Sequence, residues 1–307
     1  MNVTFTFPNR SYKAISFTID DGNIPLDKKF LSIVKPAGIL GTFNLCANSR
    51  RYDITDEDCR EMYRGYEIAN HCKLHPFALN SDKEYKFSSE PFDAVTSDPE
   101  YLYGTDTEGV YMYKYSPRYW SHIATSEAYL ALAEQSKREL EQIFGEGSIE
   151  AFVWPYGKQN NEAVFEGLVK QGYKSIRKTG CSGFELPSDR MNWSYGANHS
   201  NMTERAEEFE ALDTDGELRW FCFGVHSHDF ENNNCWYVLE NFAKKYGNRP
   251  EDYWYATVGE IFKYEDATKA AKIEDNRIFN NSDLTLYATV DGECVEIAPH
   301  TVFFQIK

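Results

Sequence analysis

Apolar and polar positions along the chain follow two alternating rhythms. Short runs rich in β-branched and aromatic residues end at turn-forming clusters. Ala14–Ile19 stops at Asp20-Asp21-Gly22-Asn23, and Gly41–Leu45 follows the break at Pro36 and Gly38. Tyr66–Asn70 runs into His71, Glu150–Trp154 into Pro155-Tyr156-Gly157, and Trp220–Val225 into His226. Tyr173–Arg177 and Trp254–Val258 also read as strands. Helical spacing fills the intervals. Thr55 caps a helix whose first turn, Asp56-Glu57-Asp58, suits the positive end of the helix dipole. Thr125 or Ser126 opens the strongest helix, with Tyr129, Leu132, Ala133, Leu140, Ile143 and Phe144 on one face before Gly145. Asn160 or Asn161 caps another that ends near Gly172, and Cys235–Tyr246 forms a further one. Strands alternating with helices predict a parallel sheet, and at this length a barrel is favoured over an open sheet.

The rhythm breaks twice. After about Ala271, Leu284–Val290 and Val295–Ile297 flank the hairpin signal Asp291-Gly292, and Val302–Ile306 follows. Residues 271–307 therefore read as a short β appendage to a barrel of residues 1–270. Residues 81–120 read as an insertion crowded with Tyr101, Tyr103, Tyr111, Tyr113, Tyr115, Tyr119 and Trp120. Such a stretch either packs its own small core or presents an aromatic wall on which sugar rings stack.

Charge then narrows the partners. Lys and Arg number 32 against 48 Asp and Glu, a net charge of −16, which argues against nucleic acid because phosphates need a basic face. No apolar run approaches the roughly 18 residues of a membrane span. Seven cysteines without a CxxC pair, and a start without a secretory pattern, give cytoplasmic as the expected compartment. A secreted protein that had lost its leader would read the same way. Oligomeric state is left open.

Catalytic groups of a parallel barrel gather at the C-terminal ends of its strands. Four polar clusters stand at such ends: Asp20-Asp21, His71 with His75, Tyr156, and His226 with His228. Two imidazoles four residues apart, on one helical turn, can face a single ion, and Pro76 ends that turn. Adjacent carboxylates after an apolar strand are costly unless a cation or hydrogen bonds stabilise them. One of the pair can complete a His–His–Asp set while the other remains free to take a proton from water. His226-Ser227-His228 alternates on a strand, so only one of its rings should point inward. Trp154, Trp193, His199 and His228 are candidate substrate contacts, and Asp213 or Asp215 a candidate partner for His226.

The strings FTIDDGN, NHCKLHP, WPYG and FGVHSHDF, in this order over about residues 14–262, resemble the motifs of the polysaccharide deacetylase family, the NodB-homology or carbohydrate esterase 4 type. The resemblance implies a distorted (β/α)7 TIM-like barrel and metal-dependent hydrolysis of acetyl groups on an N- or O-acetylated oligo- or polysaccharide. It implies that Asp20 is the base, that Asp21, His71 and His75 are metal ligands, that the Tyr156 backbone N–H helps hold the oxyanion, and that His226 is the acid. A divalent ion is expected, Zn2+ first, with Co2+, Mn2+ or Ni2+ compatible. Two positions depart from the family pattern. Cys72 stands where Ser or Thr is usual, and Val153 where an Arg normally steadies the base; Arg177, at the end of the next strand, is the expected substitute. A sugar-binding protein without turnover, and a hydrolase of a non-sugar C–N bond, are the alternative readings.

Overall fold

The computed structural model of the chain describes residues 1–47, 54–80, 84–88, 101–107, 109–116, 119–157, 159 and 161–304. Its organising strand is β1 (Lys13–Asp21), in which all of Ala14–Asp20 is buried, as expected where both faces are covered. The hydroxyls on β1 find partners: Ser16 donates to the Ala256 carbonyl at 2.6 Å, and Thr18 accepts from Asn44 at 2.7 Å. Around it run β2 (Gly41–Leu45), β3 (Glu67–Asn70), β4 (Ala151–Val153), β5 (Ser175–Arg177), β6 (Arg219–His226) and β7 (Trp254–Tyr255). Their order is β5-β4-β3-β2-β1-β6, with β7 beside the start of β1, and every pairing is parallel. β5 and β6 are joined through the stretch 193–197, by single bridges Arg177↔Trp193 and Ala197↔Phe223. The result is a distorted (β/α)7 barrel.

The helices on its outside are α1 (Ile24–Val34), α2 (Asp56–Met62), α3 (Ser126–Phe144), α4 (Glu162–Lys170), α5 (Met202–Ala211), α6 (Ser227–Asn232), α7 (Trp236–Tyr246) and α8 (Val258–Ala270). Local chemistry sets their starts: Asn23, Thr55, Thr125, Asn161 and Thr257 each accept a backbone N–H of the first turn. Asn160 lies outside the described residues. The strand expected over Trp254–Val258 stops at Tyr255, because Thr257 and Glu260 form the capping box of α8. Among the described residues, no helix is long and apolar enough to cross a membrane.

The inserted stretch is a five-stranded sheet beginning at Phe77–Ala78 and ending with Tyr119–Ala124, so it recruits residues on both sides of 81–120. Tyr111 and Tyr113 are half-buried, and the Tyr113 ring lies 6.3 Å from that of Phe77. The side chains of Tyr101, Tyr103, Tyr115, Tyr119 and Trp120 lie outside the described residues. The C-terminal strands do not pair with one another alone. Val3–Thr6 lies antiparallel to Leu286–Val290, which pairs with Glu293–Ile297 across the Asp291-Gly292 turn. Leu286, Ala288, Val290 and Ile297 share a core with Phe7, Trp220, Ile261 and Phe262, against the N-terminal ends of β1 and β6. The last strand spans Thr301–Phe304, and residues 305–307 are outside the description.

Candidate active site

Strand register brings the clusters together. Asp20 stands beside His226 on one side and Asn44 on the other, Leu45 beside Asn70, and Val153 beside Arg177. The C-terminal ends of six neighbouring strands thus carry the polar residues to one place. Asp21 and Gly22 are both left-handed (φ 79° and 76°), and this turns the chain directly into the Asn23 cap of α1.

Asp20 is 8% exposed, and its Oδ1 accepts from Asn44 Nδ2 at 2.7 Å and from Arg177 Nη2. Oδ2 points the other way, 4.0 Å from His226 Nε2. Burial alone would raise this carboxyl, but the Arg177 guanidinium, with His71 and His226, holds it below the ordinary carboxylate value. Arg177 itself is 1% exposed and lies 5.2 Å from the Tyr195 ring centre. The guanidinium that the third motif lacks at Val153 therefore arrives from one strand further along. Asn44 carried no sequence signal, because it sits mid-run among apolar residues.

His71 is buried, and its Nδ1 lies 2.9 Å from the Val153 carbonyl oxygen. A carbonyl only accepts, so Nδ1 carries the proton and Nε2 presents a lone pair. That Nε2 is 3.1 Å from His75 Nε2, and Asp21 Oδ1 stands 3.5 and 3.6 Å from the two. The expected helical turn is absent. Cys72, Leu74 and His75 are all left-handed (φ 60°, 66° and 48°), so the rings meet across a contorted loop; Pro76 disfavours the helical conformation at His75. Burial and the neighbouring His71 push His75 down to about 4, which leaves its ring neutral at neutral pH. Burial would raise Asp21, but the neighbouring imidazoles, His71 first and then His226, hold it well below the usual carboxylate range. Burial pushes the Cys72 thiol up, so it stays an inert packing group.

Three atoms bound 2.0–2.1 Å from one tetrahedral centre stand roughly 3.3 Å apart. The Asp21, His71 and His75 separations bracket that spacing. Two imidazole nitrogens and a carboxylate oxygen are also donors that zinc-like ions accept. The residues fit a divalent metal.

Beside them Tyr156 is left-handed (φ 57°), its ring 4.4 Å from that of His75 and stacked on Phe77 at 3.6 Å. Its hydroxyl donates to Ser121 Oγ at 2.6 Å, so the inserted sheet braces this wall. A Cβ on Gly157 (φ 62°) would stand 2.0 Å from Thr179 Cγ2, which leaves that loop no room to shift.

His226 ends β6, and Asp229 Oδ2 takes its Nδ1 at 3.1 Å and its backbone N–H at 2.9 Å. Burial alone would lower this ring, yet the Asp229 hydrogen bond and the Asp20 and Asp21 charges raise it to about 9. The alternation expected for His226 and His228 does not hold. The strand stops at His226 and α6 begins at Ser227, so both rings turn to the same side, 4.7 Å apart. His228 Nδ1 then lies 3.9 Å from Asp21 Oδ2, and His199 Nδ1 3.5 Å from Asp229 Oδ2. Asp213 and Asp215 are exposed; Asp229 is the residue that orients His226. Trp154 and Trp193 are not sugar platforms. They are 1% and 4% exposed, the first packed 5.7 Å from Tyr129 and the second 5.3 Å from Trp220, so neither has a face to offer.

A family model described as Polysaccharide deacetylase matches residues 8–176. No curated protein sequence matches the chain significantly. Among solved structures, a "putative polysaccharide deacetylase" from Mycobacterium smegmatis is similar in fold, with a TM-score of 0.53 at 13% identity over 87% of this chain and 94% of that one. The chitin deacetylase of Colletotrichum lindemuthianum matches at a TM-score of 0.45 and 15% identity, over 84% and 88% of the two chains.

Proposed function

The chain belongs to the polysaccharide deacetylase family, and from that premise we propose that it hydrolyses acetyl groups on a carbohydrate at the cluster of Asp20, Asp21, His71, His75 and His226. The observation that carries the reading is the division of labour at Asp20: one oxygen is held by Asn44 and Arg177, and the other is left facing His226.

Asp21 Oδ1, His71 Nε2 and His75 Nε2 are the ligands for a divalent ion, zinc first among the candidates. When bound, that ion polarises the acetyl carbonyl and makes water easier to deprotonate. Asp20 Oδ2 takes the proton from the attacking water, and Arg177 keeps the carboxylate ionised for that task. The Tyr156 backbone N–H, at the tip of its left-handed turn, stabilises the oxyanion. His226 Nε2 gives its proton to the leaving nitrogen or oxygen as the bond to the acetyl carbon breaks, releasing acetate and a free amine or hydroxyl. Asp229 compensates the charge of the protonated ring beforehand. His199 and His228, at the mouth, contact the sugar.

Metal content and acetate release from chitooligosaccharides and acetylated xylan, in the wild-type chain and Asp20→Asn, test the reading. The expected result is one divalent ion per chain in both, with release in the variant lower by roughly 10²–10⁴-fold. No bound metal and no acetate from any substrate would overturn it.

A further inference from the structure

A second group of ligands stands at the opposite edge of the same site. His226 Nδ1 is 3.1 Å from Asp229 Oδ2, His228 Nε2 is 3.9 Å from Asp229 Oδ1, and one ligand atom from each of the three residues lies within 4.8 Å of the others. His199 Nδ1, a buried atom with no hydrogen-bond partner among the described residues, is 3.5 Å from Asp229 Oδ2 and supplies a fourth donor. This set is separate from Asp21, His71 and His75, because His226 turns its Nε2 towards Asp20 and Asp21 and its Nδ1 away from them.

We propose that His226 Nδ1, His228 Nε2 and Asp229, with His199, form a second divalent-metal site whose occupation silences the enzyme. Two or three imidazole nitrogens with one carboxylate select zinc-like ions over magnesium or calcium, which prefer oxygen. The site is the weaker of the two. Its ligand atoms are more widely spread than those of the first, and an ion must displace the proton that His226 Nδ1 shares with Asp229. The displaced proton leaves to solvent, and the ring keeps only the one on Nε2. A general acid needs both, since it must give one up and remain a neutral imidazole. Excess metal therefore switches off proton delivery without touching Asp20. This consequence for activity rests on the deacetylase reading; the binding of the ion does not.

Equilibrium dialysis of the full chain against rising Zn2+, followed by elemental analysis, reads the site directly. The wild-type chain should pass from one ion to two, and acetate release should fall at least tenfold over the second step. His228→Asn and Asp229→Asn, checked for folding by circular dichroism, should each stop at one ion. His71→Ala should keep the second ion while losing the first, so the site is measurable even if no substrate is turned over. A wild-type chain that never exceeds one ion overturns the proposal. So does a second ion that persists in both the His228 and Asp229 variants, or a second ion that leaves acetate release unchanged.

Discussion

Arg177 and Asp20 form a buried pair, and removing one member leaves the other charged and unmatched. Such losses cost about 3–5 kcal/mol of stability. Arg177→Ala should also lower turnover by roughly 10²-fold or more, because Asp20 loses the group that keeps it ionised. Arg177→Lys, which restores the charge without the forked geometry, should recover part of that loss. Acetate release and urea unfolding measure the two effects, and unchanged turnover in Arg177→Ala would remove Arg177 from the site. The residues that the sequence identifies at this scale are those in contiguous strings at strand ends. Asp20, Asp21, His71 and His226 stand where an apolar run stops, and His75 follows four residues after His71. Asn44 went unremarked and Asp229 was given no role, for opposite reasons. Asn44 interrupts an apolar strand without a turn signal, and Asp229 was masked by a false strand register that put His226 and His228 on opposite faces. Trp154 and Trp193 were misread because an aromatic side chain has the same name in a core as in a sugar groove.

At the scale of elements, α1 buries an acid. Asp27 is fully buried on its inner face and accepts from the Tyr63 hydroxyl at 2.7 Å, just past the end of α2. Burial pushes its carboxyl up to about 7 from an ordinary 3.8. A carboxyl raised in this way holds its proton more tightly folded than unfolded. Its contribution is therefore complete below the unfolded value and is lost as pH rises towards 7, about 4 kcal/mol in all. The Asp27 contribution should decline between pH 4 and 7 and level off above; it is read as the difference in unfolding free energy between the wild type and Asp27→Asn, because His75, held down to about 4, and His226, raised to about 9, add slopes of their own. An identical pH slope in the variant would clear Asp27 of the effect. Elements were legible wherever periodicity and caps agreed, as in α3 with Thr125 and α4 with Asn161. The loop from His71 to Pro76 was not, because three left-handed residues within four positions leave no trace in hydrophobic spacing. Val3–Thr6 was equally silent, since four residues acquire meaning only from the strand they pair with.

For the whole molecule, the appendage is a wall of the barrel's second core. Deleting residues 271–307 uncovers Trp220, Ile261 and Phe262 together with the far side of Val3–Thr6. Several kcal/mol of apolar burial would go, and at this size each is worth about 2–4 °C. The melting temperature should fall by roughly 10 °C or more; a truncated chain that melts with the parent would show the core to be independent. The pairing of Val3 with Val290 also imposes an order in time. A ribosome adding about 5–20 residues per second needs roughly 15–60 s to travel from one strand to the other. Throughout that interval Val3–Thr6 lacks the strand it pairs with, and its hydrogen-bonding edge stays open. Leu286–Val290, made long after Val3–Thr6, is the strand that closes it.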